Sequence, residues 1–238
     1  NALYNIVDRF FVGQGVGSLG IAGITLCFPI ALFIMAMSIV VGVGANTLFS
    51  IRLGEKKYQQ AAIILNNAFV LLIIMAVGAF AFGEIFMEPL LRLFGASDQT
   101  LPVASSYMRI ILLGSVFQTI APGMNHFIRS MGHPKTAMFR EIVGACTNVI
   151  LDYVFIMKFH WGIEGAAWAT ICSQLVSSML IVQFFLKKTT PVKINRRYMK
   201  LRLPYVRKIY ILGLPPSIMQ ICNSLMNAIL AWSLTTYG

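Results

Sequence analysis

Apolar stretches near or above the roughly 20 residues needed to cross a hydrocarbon core recur along the chain, separated by short segments that hold most of its charge. The pattern predicts seven spans. Residues 1–12 read as the tail of the first, ending at a Gly-rich turn, Gly13–Gly20, and the others cover about 24–51, 58–83, 101–130, 135–157, 163–186 and 205–236. Helices are expected throughout, because backbone exposed to lipid has no water to bond and must satisfy its own hydrogen bonds. The predicted fold class is all-α, a polytopic membrane helix bundle. Pro29, Pro122, Pro215 and Pro216 interrupt these runs, as do Gly42, Gly44, Gly114 and Gly144. A proline removes one helical hydrogen bond and bends the helix, although both residue types are common in membrane helices. Pro215-Pro216 is expected near a helix start.

Composition agrees. Hydrophobic residues make up 58% of the chain and charged residues 11%, and the mean hydropathy is +0.76. A soluble domain carries about a quarter charged residues, so this chain cannot cover a surface facing water. The net charge of +11 comes largely from one tract, in which Lys187, Lys188, Lys193, Arg196, Arg197, Lys200, Arg202, Arg207 and Lys208 occur without an acid between them. Placed between two apolar segments, the tract fits a cytoplasmic loop better than a nucleic-acid arm. The loops near 55 and 133 are also positive and those near 90 and 160 are not, so the loops near 55, 133 and 197 are assigned to the cytoplasm. Cys27, Cys146, Cys172 and Cys222 lie in apolar runs without CxxC or Cys/His spacing and read as small packing residues.

Of the eight acids, Asp8, Glu141 and Asp152 fall inside the apolar runs. A carboxylate at bilayer depth is costly and usually marks a pathway for ions, protons or substrate. Any cation-handling chemistry is therefore sought at these three positions.

Several fragments together carry a family resemblance. Tyr4-Asn5-Ile6-Val7-Asp8, Phe11-Val12-Gly13 and Leu19-Gly20-Ile21-Ala22-Gly23 open the series, followed by Gly42-Val43-Gly44-Ala45-Asn46 and Arg52-Leu53-Gly54-Glu55-Lys56. Arg129-Ser130-Met131-Gly132, Asn148-Val149-Ile150-Leu151-Asp152 and Gly165-Ala166-Ala167-Trp168-Ala169-Thr170 complete it. In this order they resemble the multidrug and toxic compound extrusion (MATE) transporters, most closely the prokaryotic DinF-like branch. The resemblance implies a protein of twelve helices in two six-helix lobes. On that basis the chain is an internal piece of a longer protein. Residues 1–186 would be the N-lobe, 187–204 the inter-lobe linker and 205–238 the first C-lobe helix. It also implies a cation site in the N-lobe, and the matching positions are Asp8, Asn148, Asp152 and Thr170, where Na+ or H+ would bind. Arg9 departs from the pattern by placing a charge beside Asp8. Neighbouring residues leave a helix on different sides, so Arg9 is expected to snorkel outward.

Depth is consistent with such a site. Asp8, Asp152 and Thr170 each lie six or seven residues inside an outer helix end, so at 1.5 Å per residue all three fall about 10 Å deep. Two carboxylates offer several oxygens to a hard cation; alternatively, burial and mutual repulsion let the pair hold one proton. Three further residues are candidates for the substrate cavity. Tyr4 lies one turn before Asp8. Glu141 shares the series 141, 145, 148, 152 with the site, or else pairs with Arg140 or Lys135. Asn125, too far toward the cytoplasm for the cation cluster, reads as a cavity or packing residue.

The expected activity is export of amphiphilic or cationic drugs or toxic metabolites against an inward H+ or Na+ flow, with no cofactor beyond the coupling ion. The setting is a bacterial or archaeal plasma membrane, with the lipid bilayer and the remaining C-lobe as partners. A lipid-linked oligosaccharide flippase should show a more cationic cavity, and a non-transporting scaffold needs no buried acid pair. A membrane enzyme should present a nucleophile or metal set, and none is seen. Gly15-Val16-Gly17-Ser18-Leu19-Gly20 matches GxGxxG but lacks the preceding strand and later acid of a nucleotide site, and His126, His133 and His160 have no metal-ligand spacing.

Overall fold

The computed structural model describes Gly13, residues 16–187 and residues 190–237, with side chains in the last helix through residue 219 and at Cys222 and Met226. Among the described residues seven α-helices run in chain order: α1 (Ser18–Gly54), α2 (Tyr58–Leu93), α3 (Leu101–Leu113), α4 (Ser115–Ser130), α5 (Pro134–Asp152), α6 (Gly162–Leu186) and α7 (Leu203–Tyr237). A π-helical turn, Tyr153–Lys158, extends α5, and a 3-10 turn, Arg196–Tyr198, precedes α7. No strand occurs among the described residues. Among the described residues, helices α1, α2 and α6 are each long and apolar enough to cross a membrane, and α3 and α4 meet that length and composition only when taken together as a bent pair.

Two elements differ from the hydropathy pattern. The expected span 101–130 is broken at Gly114, where α3 and α4 meet at 53°. A Cβ at Gly114 would overlap the Ile171 side chain of α6, so the break is also a point of close helix approach. Hydroxyls and backbone carbonyls are paired between helices around the bend. Ser38 Oγ donates to Thr119 O (2.8 Å), Ser115 Oγ to Ala76 O (3.1 Å) and Ser178 Oγ to Phe117 O (3.1 Å). These bonds let irregular backbone persist at membrane depth. Second, α2 runs to Leu93, ten residues past its expected end, with a length of about 54 Å that exceeds a ~30 Å hydrocarbon core. Glu84 and Glu88, expected in a loop, therefore lie on the helix, where they pair with Arg109 (2.9 Å) and Arg92 (3.0 Å).

The core divides into two clusters on either side of this hydroxyl belt. One joins Val41, Phe49, Leu65, Leu72, Met124, Phe127 and Phe185 toward the end that carries the α1–α2 turn, and the other joins Cys27, Ile34, Leu91, Met108, Leu112 and Ile156 toward the opposite end. Cys27 packs in the outer cluster, whereas Cys146 and Cys222 are exposed, contrary to their expected packing role.

Helix α7 crosses α1 at backbone contact. A Cβ on Gly44 would overlap the backbone of Ile209 and Gly213, and one on Gly213 would overlap the Val40 carbonyl. Small residues permit this approach, which gives membrane helices dispersion contact without a hydrophobic driving force. Pro215 and Pro216 lie well inside α7, more than three turns from its start, which corrects their expected position at a helix beginning.

The segment before α7 is fastened to α2 by two fully buried asparagines. Asn66 donates to Lys193 O (3.0 Å) and accepts from Asn195 N (2.8 Å). Asn67 donates to Tyr198 O (3.3 Å) and Lys200 O (3.4 Å) and accepts from Arg202 N (2.8 Å).

Candidate functional site

The buried face of α5 consists of Ala137, Arg140, Gly144, Asn148 and Asp152. Steps of three or four residues keep one helix face in view, and this face packs against α6. Gly144 leaves room for Ser177, since a Cβ there would overlap the Ser177 hydroxyl, and a Cβ at Gly165 would lie 3.1 Å from that of Phe155. Those two approaches define an antiparallel register. They put Asn148 level with Ser173, and Asp152 level with the turn that carries Thr170.

Asn148 and Asp152 are both 0% exposed. The amide N and O of Asn148 have no hydrogen-bond partner among the described residues. A buried amide left in that condition costs about 1–3 kcal/mol, so it is expected to serve a ligand or a neighbour. Asp152 is the last α-helical residue of α5, and the π-helical turn begins directly after it. Such turns are frequent at functional sites, since one extra residue per turn re-aims the side chains around it. Thr170 is partly buried, and its carbonyl accepts from Ser173 Oγ at 2.8 Å. Of the expected cation ligands, Asn148 and Asp152 share the buried face of α5 one turn apart, and Thr170 lies on α6 at the level of Asp152. Asp8 lies outside the described residues, as does Tyr4.

The other two expected residues, Asn125 and Glu141, meet each other about three turns from Asp152 toward the α4–α5 turn. Asn125 Nδ2 donates to Glu141 Oε1 at 2.6 Å, and Arg129 Nη2 pairs with the same oxygen at 2.5 Å. Glu141 is thus held by Asn125 and Arg129, on α4, and not by Arg140 or Lys135 as one sequence reading had it. It also lies beside the buried face: its side chain is 55% exposed, and Arg140 occupies the inward position. The series 140, 144, 148, 152 wins over 141, 145, 148, 152 because Gly144 is where α5 and α6 approach.

Arg140 is the residue that sequence reasoning missed. Read as a loop cation, it is only 4% exposed, with Nη2 donating to Ser177 O (3.2 Å) and Nη1 to Asn125 Oδ1 (3.5 Å). The available signal was its i+4 spacing to Gly144 and i+8 spacing to Asn148.

The sequence profile of the MatE family matches residues 1–154. The chain belongs to the MatE family. Across its whole length it is 26% identical to a multidrug export protein, MepA, of Staphylococcus aureus, and it spans 53% of that relative. A MATE crystal structure in complex with MaD3S superposes with a TM-score of 0.90 at 28% identity, covering 98% of this chain and 53% of that one. A Pyrococcus furiosus transporter of the MOP superfamily superposes with a TM-score of 0.86 at 29% identity, covering 94% of this chain and 50% of the other. Its reversed binding-pocket polarity is described as suggesting a different function. This MatE chain therefore spans about half the length of the curated relatives it matches, and it is a multi-pass plasma-membrane protein.

Proposed function

We propose that this chain forms the cation-binding half of a multidrug exporter, which drives amphiphilic or cationic compounds outward with an inward H+ or Na+ flow. The observation that carries the reading is the fully buried pair Asn148 and Asp152, one turn apart, with an amide that has no partner among the described residues. The names of the relatives, a multidrug export protein and a MATE transporter crystallised with MaD3S, support the export of small molecules.

The chemistry follows from burial. An ionised carboxylate in a dry site pays a large desolvation penalty, so it takes up a proton or keeps a cation beside it. Asp152 supplies the negative oxygen for either. The Asn148 carbonyl oxygen and the Thr170 hydroxyl add neutral oxygens of the type a hard cation prefers, and the Asn148 amide can instead donate to the carboxylate. Asp8, from the first expected span, is the proposed second carboxylate, with Tyr4 one turn away from it. Neutralising the acids removes a reason for the helices to hold water or stay apart, so loaded and empty sites favour different packings. Coupling then requires only that cation and drug prefer opposite states. Asn125 and Glu141 would line the cytoplasmic part of the pathway, with Arg129 and Arg140 as their partners. In this reading residues 1–186 act as one lobe, 187–204 as the linker and 205–238 as the first helix of the other lobe.

A flippase for lipid-linked sugars would need cations that face the pathway. Arg140 is the one buried cation among the described residues, and its guanidinium is tied to Asn125 and Ser177. That engagement favours drug export. The test is efflux of a fluorescent cation by the full-length protein in vesicles, with pH and sodium gradients imposed separately. Asp8→Asn and Asp152→Asn should each remove gradient-driven efflux at least ten-fold while the protein still folds. Undiminished efflux in both variants would sink the assignment.

A further inference from the structure

A cavity of about 610 Å³ opens at the cytoplasmic end between the α1–α2 turn and the start of α7, lined by Arg52, Gln60, Arg202, Pro204, Tyr205 and Lys208. Three of those side chains are cations and none is an acid. Glu55, just outside the lining, is divided between two bases: Arg52 Nη1 lies 2.7 Å and Lys57 Nζ 3.0 Å from its Oε2. Hydrogen bonds from Lys57 and Arg52 hold the Glu55 carboxyl below the usual carboxylate range, so it stays ionised between those two bases. Arg52 Nε is buried and has no hydrogen-bond partner among the described residues. Arg202 and Lys208 have no ion-pair partner among the described residues.

The site is built, not a chance gathering of loop charges. Asn67 Oδ1 holds the Arg202 amide at 2.8 Å, and the Arg202 carbonyl accepts the first helical amides of α7, Tyr205 N (2.9 Å) and Val206 N (3.1 Å). Arg202 is thereby fixed at the positive end of a long helix, where an anion is further stabilised. Exposed apolar side chains flank the basic ones in sequence: Ile51 and Tyr58 on the α1–α2 side, Leu201 and Leu203 on the α7 side. A soluble anion has no use for such a margin, whereas a lipid with its phosphate in the cavity would lay its chains there.

We propose that this cavity binds the phosphate of an anionic phospholipid of the cytoplasmic leaflet, linking the α1–α2 turn to the start of α7. Arg52, Arg202 and Lys208 supply charge, and Gln60 and the Tyr205 hydroxyl reach the headgroup. The inference rests on membrane orientation and not on drug export, and its test reads binding alone.

The full-length protein would be purified in neutral detergent and its thermal midpoint followed as phosphatidylglycerol, phosphatidylcholine or inorganic phosphate is added. Phosphatidylglycerol should raise the midpoint, and the other two should not. Arg52→Gln with Arg202→Gln and Lys208→Gln should weaken the phosphatidylglycerol response about a hundred-fold in concentration. A control that removes three cations outside the cavity (Lys193→Gln, Arg196→Gln, Arg197→Gln) should keep it, and each variant's midpoint without lipid reports whether it folds. Equal weakening in both variants means diffuse surface attraction and overturns the proposal. So does an equal response to inorganic phosphate, which would mark a soluble anion site, and so does a full response in the cavity variant.

Discussion

Asn148 places two polar atoms in the α5/α6 contact, and neither has a hydrogen-bond partner among the described residues. A residue kept only for stability would do better as a hydrocarbon, because replacing an unmatched buried amide by an apolar group of similar shape removes a desolvation cost of about 1–3 kcal/mol. Asn148→Leu in the full-length protein is therefore expected to leave the thermal midpoint unchanged or raised by a few degrees, while gradient-driven efflux is lost. A lowered midpoint with efflux retained would mark Asn148 as a structural strut. At this scale the sequence told a good deal. The i+4 pair Asn148 and Asp152 could be read as one face because both interrupt an apolar run, and burial bears that face out. Arg140 was harder to read, since a cation six residues past the helix start looks like a loop charge unless its spacing to Gly144 and Asn148 is weighed, and Ser177 and Asn125 are seen to receive it only in the structure. Glu141 was ambiguous for the same reason: one position of rotation separates the inward face from its flank.

Helix packing turns on glycines whose importance depends on what lies opposite. Gly213 of α7 faces the Val40 carbonyl so closely that a Cβ would overlap it, and Gly44 stands in the same relation to Ile209 and Gly213. By contrast Gly78 of α2 is exposed, with nothing within 4 Å of the place a Cβ would take. Gly213→Ala must therefore push α7 away from α1 and is expected to cost about 1–3 kcal/mol, whereas Gly78→Ala should be neutral or stabilise by up to about 1 kcal/mol. Thermal unfolding of the two full-length variants side by side checks this. Equal midpoints would mean that the α1–α7 contact gives no stability. Hydropathy located both helices but could not distinguish the two glycines, because the difference lies on the opposing helix. The same limit explains the elements that came out differently. Gly114 was visible as an interruption, but neither the 53° bend nor the close approach of Ile171 from α6 can be seen in the hydropathy of one segment. Glu84 and Glu88 suggested a loop, whereas ion pairs with Arg109 and Arg92 let the helix carry its acids beyond the apolar core.

At the level of the whole molecule, the nine-cation tract predicted a loop on the cytoplasmic side but gave no hint that its backbone is held. Asn66 and Asn67 stand in an apolar run and resemble any two polar residues of a helix, yet their amides are saturated. Each donates to its own helix, at Ala62 O and Ile63 O, and then bonds the following segment through five backbone groups between Lys193 and Arg202. A segment with so many positive charges repels itself and would otherwise extend into water. The two asparagines fix its path, and with it the point where α7 begins. Asn66→Ala with Asn67→Ala removes those bonds and leaves buried backbone groups unmatched, so opening of the segment should become easier by about 2 kcal/mol, or roughly thirty-fold in population. Trypsin offers a direct reading, because Lys193, Arg196, Arg197 and Lys200 all lie in the segment. In the reconstituted full-length protein, cleavage between 193 and 202 should accelerate by an order of magnitude or more in the double variant. The α1–α2 turn, with its own lysines at 56 and 57, provides the internal reference and should be cut at an unchanged rate. Asn67→Asp should fall between the two, since the carboxylate still accepts from Arg202 N but no longer donates to Tyr198 O or Lys200 O. Identical digestion of the double variant and the parent would mean that the tract is held by something other than these two side chains.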